Sequence, residues 1–182
     1  MALHPMSIEE NQIRLLIQAL SGDFHTLARQ RLEIEDMEYQ IDTETVMIKG
    51  DFPDETTKAC VVPHSEGKHK LLFFTGSLCS MINNKFSKIY NADTFVEAAK
   101  TFIKFVFVHE LVHIKQLREG ILTEEYFSVS YNDNQWEEEA NRFASEIISE
   151  EGDFQIEIVK IILGETKIDS ENVHNIISLC RI

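Results

Sequence analysis

Two histidines four residues apart constrain this chain more than any other feature, because His109 and His113 lie in a segment that is otherwise largely apolar. Residues four apart on an α-helix are separated by about 40° around its axis, so both imidazoles can reach one ion from a single face. Glu110 flanks that face. In the HExxH spacing, the two imidazoles are the residue type that binds a catalytic Zn²⁺ ion, and the carboxylate is the residue type that serves as the base of the reaction. The sequence therefore predicts a helical zinc site with His109 and His113 as ligands.

A long and mostly buried helix is predicted to carry this motif. Thr94 and Glu97 have the spacing of a capping box, and Gly120 suits a C′ position, which together predict a helix from about residue 95 to 119. The segment contains neither Pro nor Gly, and apolar side chains cover most of its faces. Polar residues take over only in the last turns, at Lys115, Gln116, Arg118 and Glu119. We expect a cleft to open at that end, beside the histidines.

A second amphipathic helix follows and offers the carboxylate that the site lacks, since a catalytic zinc ion commonly takes three protein ligands and one water. It is preceded by two N-cap candidates, Asp133 and Asn134. One stripe of this helix has to pack inward and consists of Glu137, Ala140, Asn141, Ala144 and Ile148. We expect Glu137 to be the third ligand. Asn141 can accept a hydrogen bond from the free ring N–H of a zinc-bound histidine.

The HELVH segment and the ExxANxFA pattern of residues 137–144 together resemble the ImmA/IrrE-type minimal gluzincin metallopeptidases. The resemblance covers roughly residues 45–150. It implies that His109, His113 and Glu137 bind zinc and that Glu110 is the general base. It also implies a small sheet packed on the active-site helix and, often, cleavage of helix-turn-helix repressors that control phage, mobile-element or stress genes. The chain departs from the commoner HELGH form at Val112, and neither end shows a DNA-binding module.

These residues suggest a hydrolytic mechanism. Two neutral imidazoles and one carboxylate leave a site with about one net positive charge, which lowers the pKa of a bound water from about 15.7 toward about 7. Glu110 would accept that proton and pass it to the leaving amine. A further oxyanion donor is expected, and the candidates are Tyr126, Tyr131 and His174. The predicted function is that of a zinc-dependent endopeptidase acting on a protein or peptide substrate.

Several alternatives stay open at this point. The chain can be a catalytically silent zinc-binding regulatory or protein-interaction domain, although the intact Glu110 argues against this because metal binding alone needs no base. It can also be a structural helical domain in which HExxH is fortuitous. Within the enzyme class, a different third ligand can come from Asp133, Glu146 or His174.

Length and composition favour one zincin-like domain over residues 1–182, with its core at about 45–150. The 182 residues, of which 43% are hydrophobic, suffice for one core but not for two ordinary domains. The formal net charge is −14, and the only basic cluster is a small one at residues 68–70. Direct nucleic-acid binding is therefore not expected, whereas a basic protein substrate would suit this charge.

The same composition predicts a cytoplasmic protein. Arg14 and Gln18 interrupt the N-terminal apolar run, so no signal peptide is expected. The apolar stretch 102–108 contains Lys104 and is too short to span a membrane. The cysteines lack CxxC spacing, are odd in number and suit a reducing compartment: Cys60, Cys79 and Cys180. The sequence defines no oligomeric state.

The predicted fold class is α+β, with a small, mostly antiparallel sheet of about three strands packed on the active-site and glutamate helices, and with helices at both ends. Ser7 and Glu10 form a capping-box pattern that predicts a helix to about residue 21, continued by residues 23–33 after a kink. Apolar runs predict strands at 46–52, Ala59–Pro63 and 71–75, and closing helices at Phe154–Leu163 and 171–180.

Two further segments are predicted to meet the substrate. Gluzincin-like folds bind an extended peptide along an edge strand above the active-site helix, and residues 71–76 are the candidate for that strand. Residues 121–131 connect the two ligand helices and are predicted to form part of the substrate wall, a lid or an ordinary packed loop.

Overall fold

The computed structural model describes residues 6–64, 68–121, 134–149 and 152–164. Within them the protein is mixed α+β, as the sequence predicts, with six helices, a three-stranded sheet and a separate two-stranded hairpin. The helices are α1 Glu10–Leu20, α2 Asp23–Leu32, α3 Thr75–Lys85, α4 Ala92–Arg118, α5 Gln135–Ile148 and α6 Phe154–Leu163. The strands are β1 Tyr39–Glu44, β2 Met47–Lys49, β3 Phe52–Asp54, β4 Ala59–Pro63 and β5 His69–Phe74.

The first helix begins later than its predicted cap. The side chains of Glu9 and Gln12, not those of Ser7 and Glu10, form the capping box of α1. The chain before the helix is instead held by Asn83 of α3, whose amide accepts a hydrogen bond from Ile8 N at 2.8 Å and donates one to Ile8 O at 3.0 Å. This tertiary contact overrides the local capping pattern. The predicted continuation after a kink is confirmed as α2.

The three-stranded sheet is mixed rather than mostly antiparallel. Its order is β1-β5-β4, in which β5 pairs parallel with β1 and antiparallel with β4. The predicted strand Ala59–Pro63 is confirmed as β4. The predicted strand at 46–52 is wrong, because Gly50 takes a left-handed conformation, with φ +63°, and turns the chain into the β2–β3 hairpin.

The strand predicted at 71–75 is confirmed as β5, but the prediction that residues 71–76 form an edge strand is wrong. Residues 71–74 belong to β5, which lies in the middle of the sheet and is buried on both faces. Thr75 and Gly76 already belong to α3. At Gly76 a Cβ atom would lie 2.8 Å from the carbonyl oxygen of Thr45, so this close contact between α3 and the end of β1 requires glycine. The edge strands of the sheet are β1 and β4.

Helix α4 is the central element of the core. It begins at Ala92, and its N-cap is Asn91, whose side chain accepts a hydrogen bond from Thr94 N at 3.0 Å, so Thr94 is not the cap. The helix ends at Arg118, and Gly120 follows with a φ of +86°. The Phe107 ring stacks on Phe73 of β5, with ring centroids 5.2 Å apart. This packing fixes α4 against the sheet, while α5 and α6 pack on other parts of its surface.

The closing helix Phe154–Leu163 is confirmed as α6. The predicted helix at 171–180 and nearly all of the 121–131 segment lie outside the described residues. Among the helices that the structure describes, none combines the length and the apolar character needed to cross a membrane.

Candidate metal centre

Helix α4 holds His109 and His113 side by side, as their spacing predicts. Their ring centroids are 4.8 Å apart, and the two Nε2 atoms are separated by 3.1 Å. Both side chains are largely buried, with exposed fractions of 12% and 14%. Two imidazole nitrogens therefore converge on one point at the surface of a rigid core helix.

Helix α5 brings a carboxylate to the same point. Asn134 caps this helix by accepting a hydrogen bond from Trp136 N, and Ala140 and Ala144 are fully buried where α5 packs on α4. Glu137 is 3% exposed. Its Oε2 lies 3.2 Å from His109 Nε2, and its Oε1 lies 3.5 Å from His113 Nε2.

These three side chains form the only group of metal-ligating residues found in the described parts of the chain. One ligand atom from each of His109, His113 and Glu137 lies within 4.8 Å of the other two. Donors this close need small movements to reach the bond lengths of about 2.0–2.2 Å that a divalent ion takes from nitrogen and oxygen. The group can therefore hold a metal ion.

Both histidine rings are oriented by side-chain amides behind them. Asn141 Oδ1 lies 3.1 Å from His109 Nδ1, in the position that the sequence predicts for it. Gln116 Oε1 lies 2.7 Å from His113 Nδ1. When each Nδ1–H donates to these oxygens, both Nε2 lone pairs face the Glu137 carboxylate. This is the ring orientation that a metal ligand needs.

Charge at the centre shifts the pKa values of two of its groups. Burial by itself would lower the pKa of His109, but the hydrogen bond to Glu137 and the charges of Glu110 and Glu137 outweigh burial, so the pKa is raised. Burial raises the pKa of Glu110, which is 6% exposed, and the positive charges on the two imidazoles oppose that shift. A carboxyl group with a raised pKa exchanges protons more readily near neutral pH than an ordinary glutamate does.

The surroundings of Glu110 include the start of β4. Lys58 and Cys60 both interact electrostatically with the Glu110 carboxylate. Burial, together with the negative charges of Glu110 and Glu44, raises the pKa of the Cys60 thiol to about 11. Cys60 therefore stays protonated at neutral pH, which disfavours it as a nucleophile or as a metal ligand.

The remaining candidates divide into those that the structure describes and those outside it. Glu146 forms an ion pair with Arg142 at 3.0 Å on the exposed side of α5, so it does not compete with Glu137 as the third ligand. The possible oxyanion donors Tyr126, Tyr131 and His174, and the alternative ligand Asp133, lie outside the described residues.

Sequence reasoning overlooked Gln116 and treated it only as one of the polar residues that end α4. It is in fact 3% exposed. Its position three residues after His113 was the available signal, since side chains at i and i+3 on a helix are neighbours.

Comparison with known proteins adds no identification. No protein-family model, curated protein or solved structure matches this chain. The resemblance to minimal gluzincins therefore rests on the motif residues of the sequence alone.

Proposed function

We propose that this protein is a zinc-dependent endopeptidase of the minimal gluzincin type. The observation that carries the proposal is the convergence of His109, His113 and Glu137, with the buried Glu110 adjacent to His109 in the chain. Two imidazoles and one carboxylate are the protein ligands of one class of catalytic zinc site, in which the fourth position takes water. The arrangement of the four residues supports hydrolysis more strongly than simple metal storage, because storage has no use for a buried acid beside the ligands.

The described residues divide the chemical work in a simple way. His109, His113 and Glu137 would hold the zinc ion, which would supply Lewis acidity when bound. Glu110 accepts a proton from the attacking water and delivers it to the nitrogen of the departing amine. Its raised pKa supports both transfers. Asn141 and Gln116 keep the two imidazoles oriented throughout.

The edge of β4 is the proposed binding surface for the substrate backbone. Among the described strands β4 pairs only with β5, and it packs against α4. Cys60 on this strand interacts with Glu110, which puts the strand near the proposed base. An extended peptide that pairs with β4 through its main chain would thus lie beside the metal centre. This assignment replaces the one at 71–76.

A basic protein substrate suits the charge of the enzyme. The formal net charge of −14 attracts positively charged partners. Helix-turn-helix repressors have basic DNA-binding surfaces, and the family resemblance suggests them as substrates. We therefore propose a repressor of a phage, mobile element or stress response as the substrate class, in a cytoplasmic setting.

The decisive experiment compares the zinc-loaded protein with Glu110→Gln. Zinc content is measured by mass spectrometry, and cleavage is measured on a mixture of synthetic peptides and on repressors encoded beside the gene. We expect about one zinc per chain in both proteins, and a cleavage rate about 10²- to 10⁴-fold lower in the variant. Glu97→Gln, an exposed change on the same helix, is the matched control and should cleave normally.

Three results would contradict the proposal. Absence of stoichiometric zinc in the purified, zinc-supplemented protein would exclude the metal centre. Zinc binding with equal cleavage by both proteins would exclude Glu110 as the general base. Zinc binding with no cleavage of any substrate, while the biological activity persists in Glu110→Gln, would instead identify a catalytically silent zinc-binding domain.

A further inference from the structure

The side-chain amide of Gln116 makes three hydrogen bonds beside the centre. Its Nε2 donates to the Trp136 carbonyl oxygen and to Glu139 Oε2, both at 2.9 Å. A carbonyl oxygen can only accept a hydrogen bond, so the group of Gln116 that faces Trp136 O has to be the amide N–H₂. The oxygen of the same amide therefore faces His113 Nδ1, at 2.7 Å. Three hydrogen bonds fix the orientation of Gln116 without ambiguity.

This orientation fixes the tautomer of His113. An amide oxygen can only accept, so His113 Nδ1 has to carry the proton, and the lone pair of the neutral ring lies on Nε2. Nε2 is the atom that faces Glu137 and His109. Gln116 thus selects the one neutral tautomer of His113 that can bind a metal ion at this centre.

The same side chain also controls the position of the third ligand. Trp136 O belongs to the peptide unit that immediately precedes Glu137, in the first turn of α5. By holding this carbonyl, Gln116 links the backbone of the glutamate ligand on α5 to the ring of a histidine ligand on α4. The contact is buried, because Gln116 is 3% exposed, so water does not readily replace it.

We propose that Gln116 is a positioning residue that presets both His113 and Glu137 for the metal and so determines metal affinity. The proposal builds on the zinc site of the proposed function. Loss of a residue that orients a metal ligand typically weakens metal binding by about 10- to 100-fold. Gln116→Met removes all three hydrogen bonds while keeping a side chain of similar length. We expect its zinc affinity to fall by about this factor.

The first test needs neither zinc nor activity. In metal-free protein with ¹⁵N-labelled histidine, NMR at mildly alkaline pH reports which ring nitrogen of His113 carries the proton. Wild-type protein should show the Nδ1–H tautomer, whereas Gln116→Met should shift the ring toward Nε2–H. An Nε2–H tautomer in the wild-type protein overturns the proposal even if no variant folds.

The second test measures zinc affinity by competition with a chromophoric chelator, together with the melting temperature of each metal-free protein. Gln40→Met, an exposed glutamine on β1, is the matched control and should bind zinc normally. A purely structural role would lower the melting temperature of Gln116→Met without the change in tautomer. Unchanged affinity and tautomer in Gln116→Met, in a protein that still binds zinc, refutes the inference while leaving the proposed function intact.

Discussion

Replacing Glu137 with glutamine tests whether the three side chains form one metal centre. The substitution keeps the shape of the side chain and removes the charged ligand that lies 3.2 Å and 3.5 Å from the two histidine Nε2 atoms. Glu138 is the next residue on α5 and is exposed. Glu138→Gln therefore changes the net charge by the same amount on the same helix without touching the centre.

The size of the expected effect follows from binding linkage. At a free zinc concentration about 100 times the wild-type dissociation constant, binding stabilises the fold by about 2.7 kcal/mol. A domain of about 150–250 residues gains about 2–4 °C per kcal/mol, so zinc should raise the melting temperature of the wild-type protein by about 5–11 °C. Losing a direct ligand should weaken binding by at least about 100-fold, since losing a residue that only orients one costs about 10–100-fold. At the same zinc concentration, Glu137→Gln should then gain only about 0.4 kcal/mol, or about 1–2 °C.

The assay is differential scanning fluorimetry in a zinc-buffered solution, with each protein compared with its own metal-free form. That comparison removes any effect of the substitutions on the metal-free fold. Glu138→Gln should show the full wild-type shift. If Glu137→Gln shows the full shift as well, Glu137 is not a ligand, and the reasoning from the contact between α4 and α5 fails.

Three further predictions concern the surroundings of the centre. The pKa of Glu110 is raised in the folded protein, so its contribution to stability is fully present below its unfolded pKa of about 4.3 and is lost as pH rises through its folded pKa. At pH 8, metal-free Glu110→Gln should therefore have a higher melting temperature than the metal-free wild-type protein. This difference should disappear near pH 4. Equal differences at both pH values would contradict this. When Cys79 and Cys180 are replaced by serine, the rate at which iodoacetamide alkylates Cys60 should rise with pH with a midpoint near pH 11. That midpoint should be lower in Glu110→Gln, because the negative charge of Glu110 is removed. A midpoint of about 8.5 in the wild-type background would contradict the prediction. Ala144 is fully buried, so the larger side chain of Ala144→Leu should force α5 away from α4. The free energy of unfolding, measured with denaturant, should fall by about 1–3 kcal/mol, and zinc should bind more weakly. Unchanged zinc affinity would argue against this prediction.

The candidate site could be predicted because its signals are local. His109 and His113 are related by one helical turn, and so are Glu137 and Asn141, which makes their common faces readable without knowledge of the rest of the fold. The small residues Ala140 and Ala144 further indicated which side of α5 would approach another helix closely. Only the meeting of the two helices had to be assumed.

The sheet order could not be predicted in the same way. Residues 39–44 alternate between inward and outward side chains, but nothing in that alternation specifies parallel pairing with a strand 30 positions later. That pairing is what moves β5 from the edge to the middle of the sheet. Helix α3 escaped prediction for a related reason. Its sequence is rich in Gly, Ser and Asn, which favour helices weakly, and burial of Leu78 and Ile82 stabilises it instead.

The energetics of the contact between α4 and α5 give the strongest physical reason to expect a cation there. Among the described residues, the only buried acidic side chains are Glu110 and Glu137, and the charges of both act on His109. A buried carboxylate costs several kcal/mol unless it is paired or coordinates a metal. Without a metal, part of that cost is offset by protonation, which is why the pKa values of His109 and Glu110 are both raised. A divalent ion offsets it more completely, because the ion can interact with both imidazole lone pairs and with the Glu137 carboxylate at once. The metal-free protein should therefore be less stable than the metal-bound protein, because it contains the buried charged residues that the proposed reaction requires.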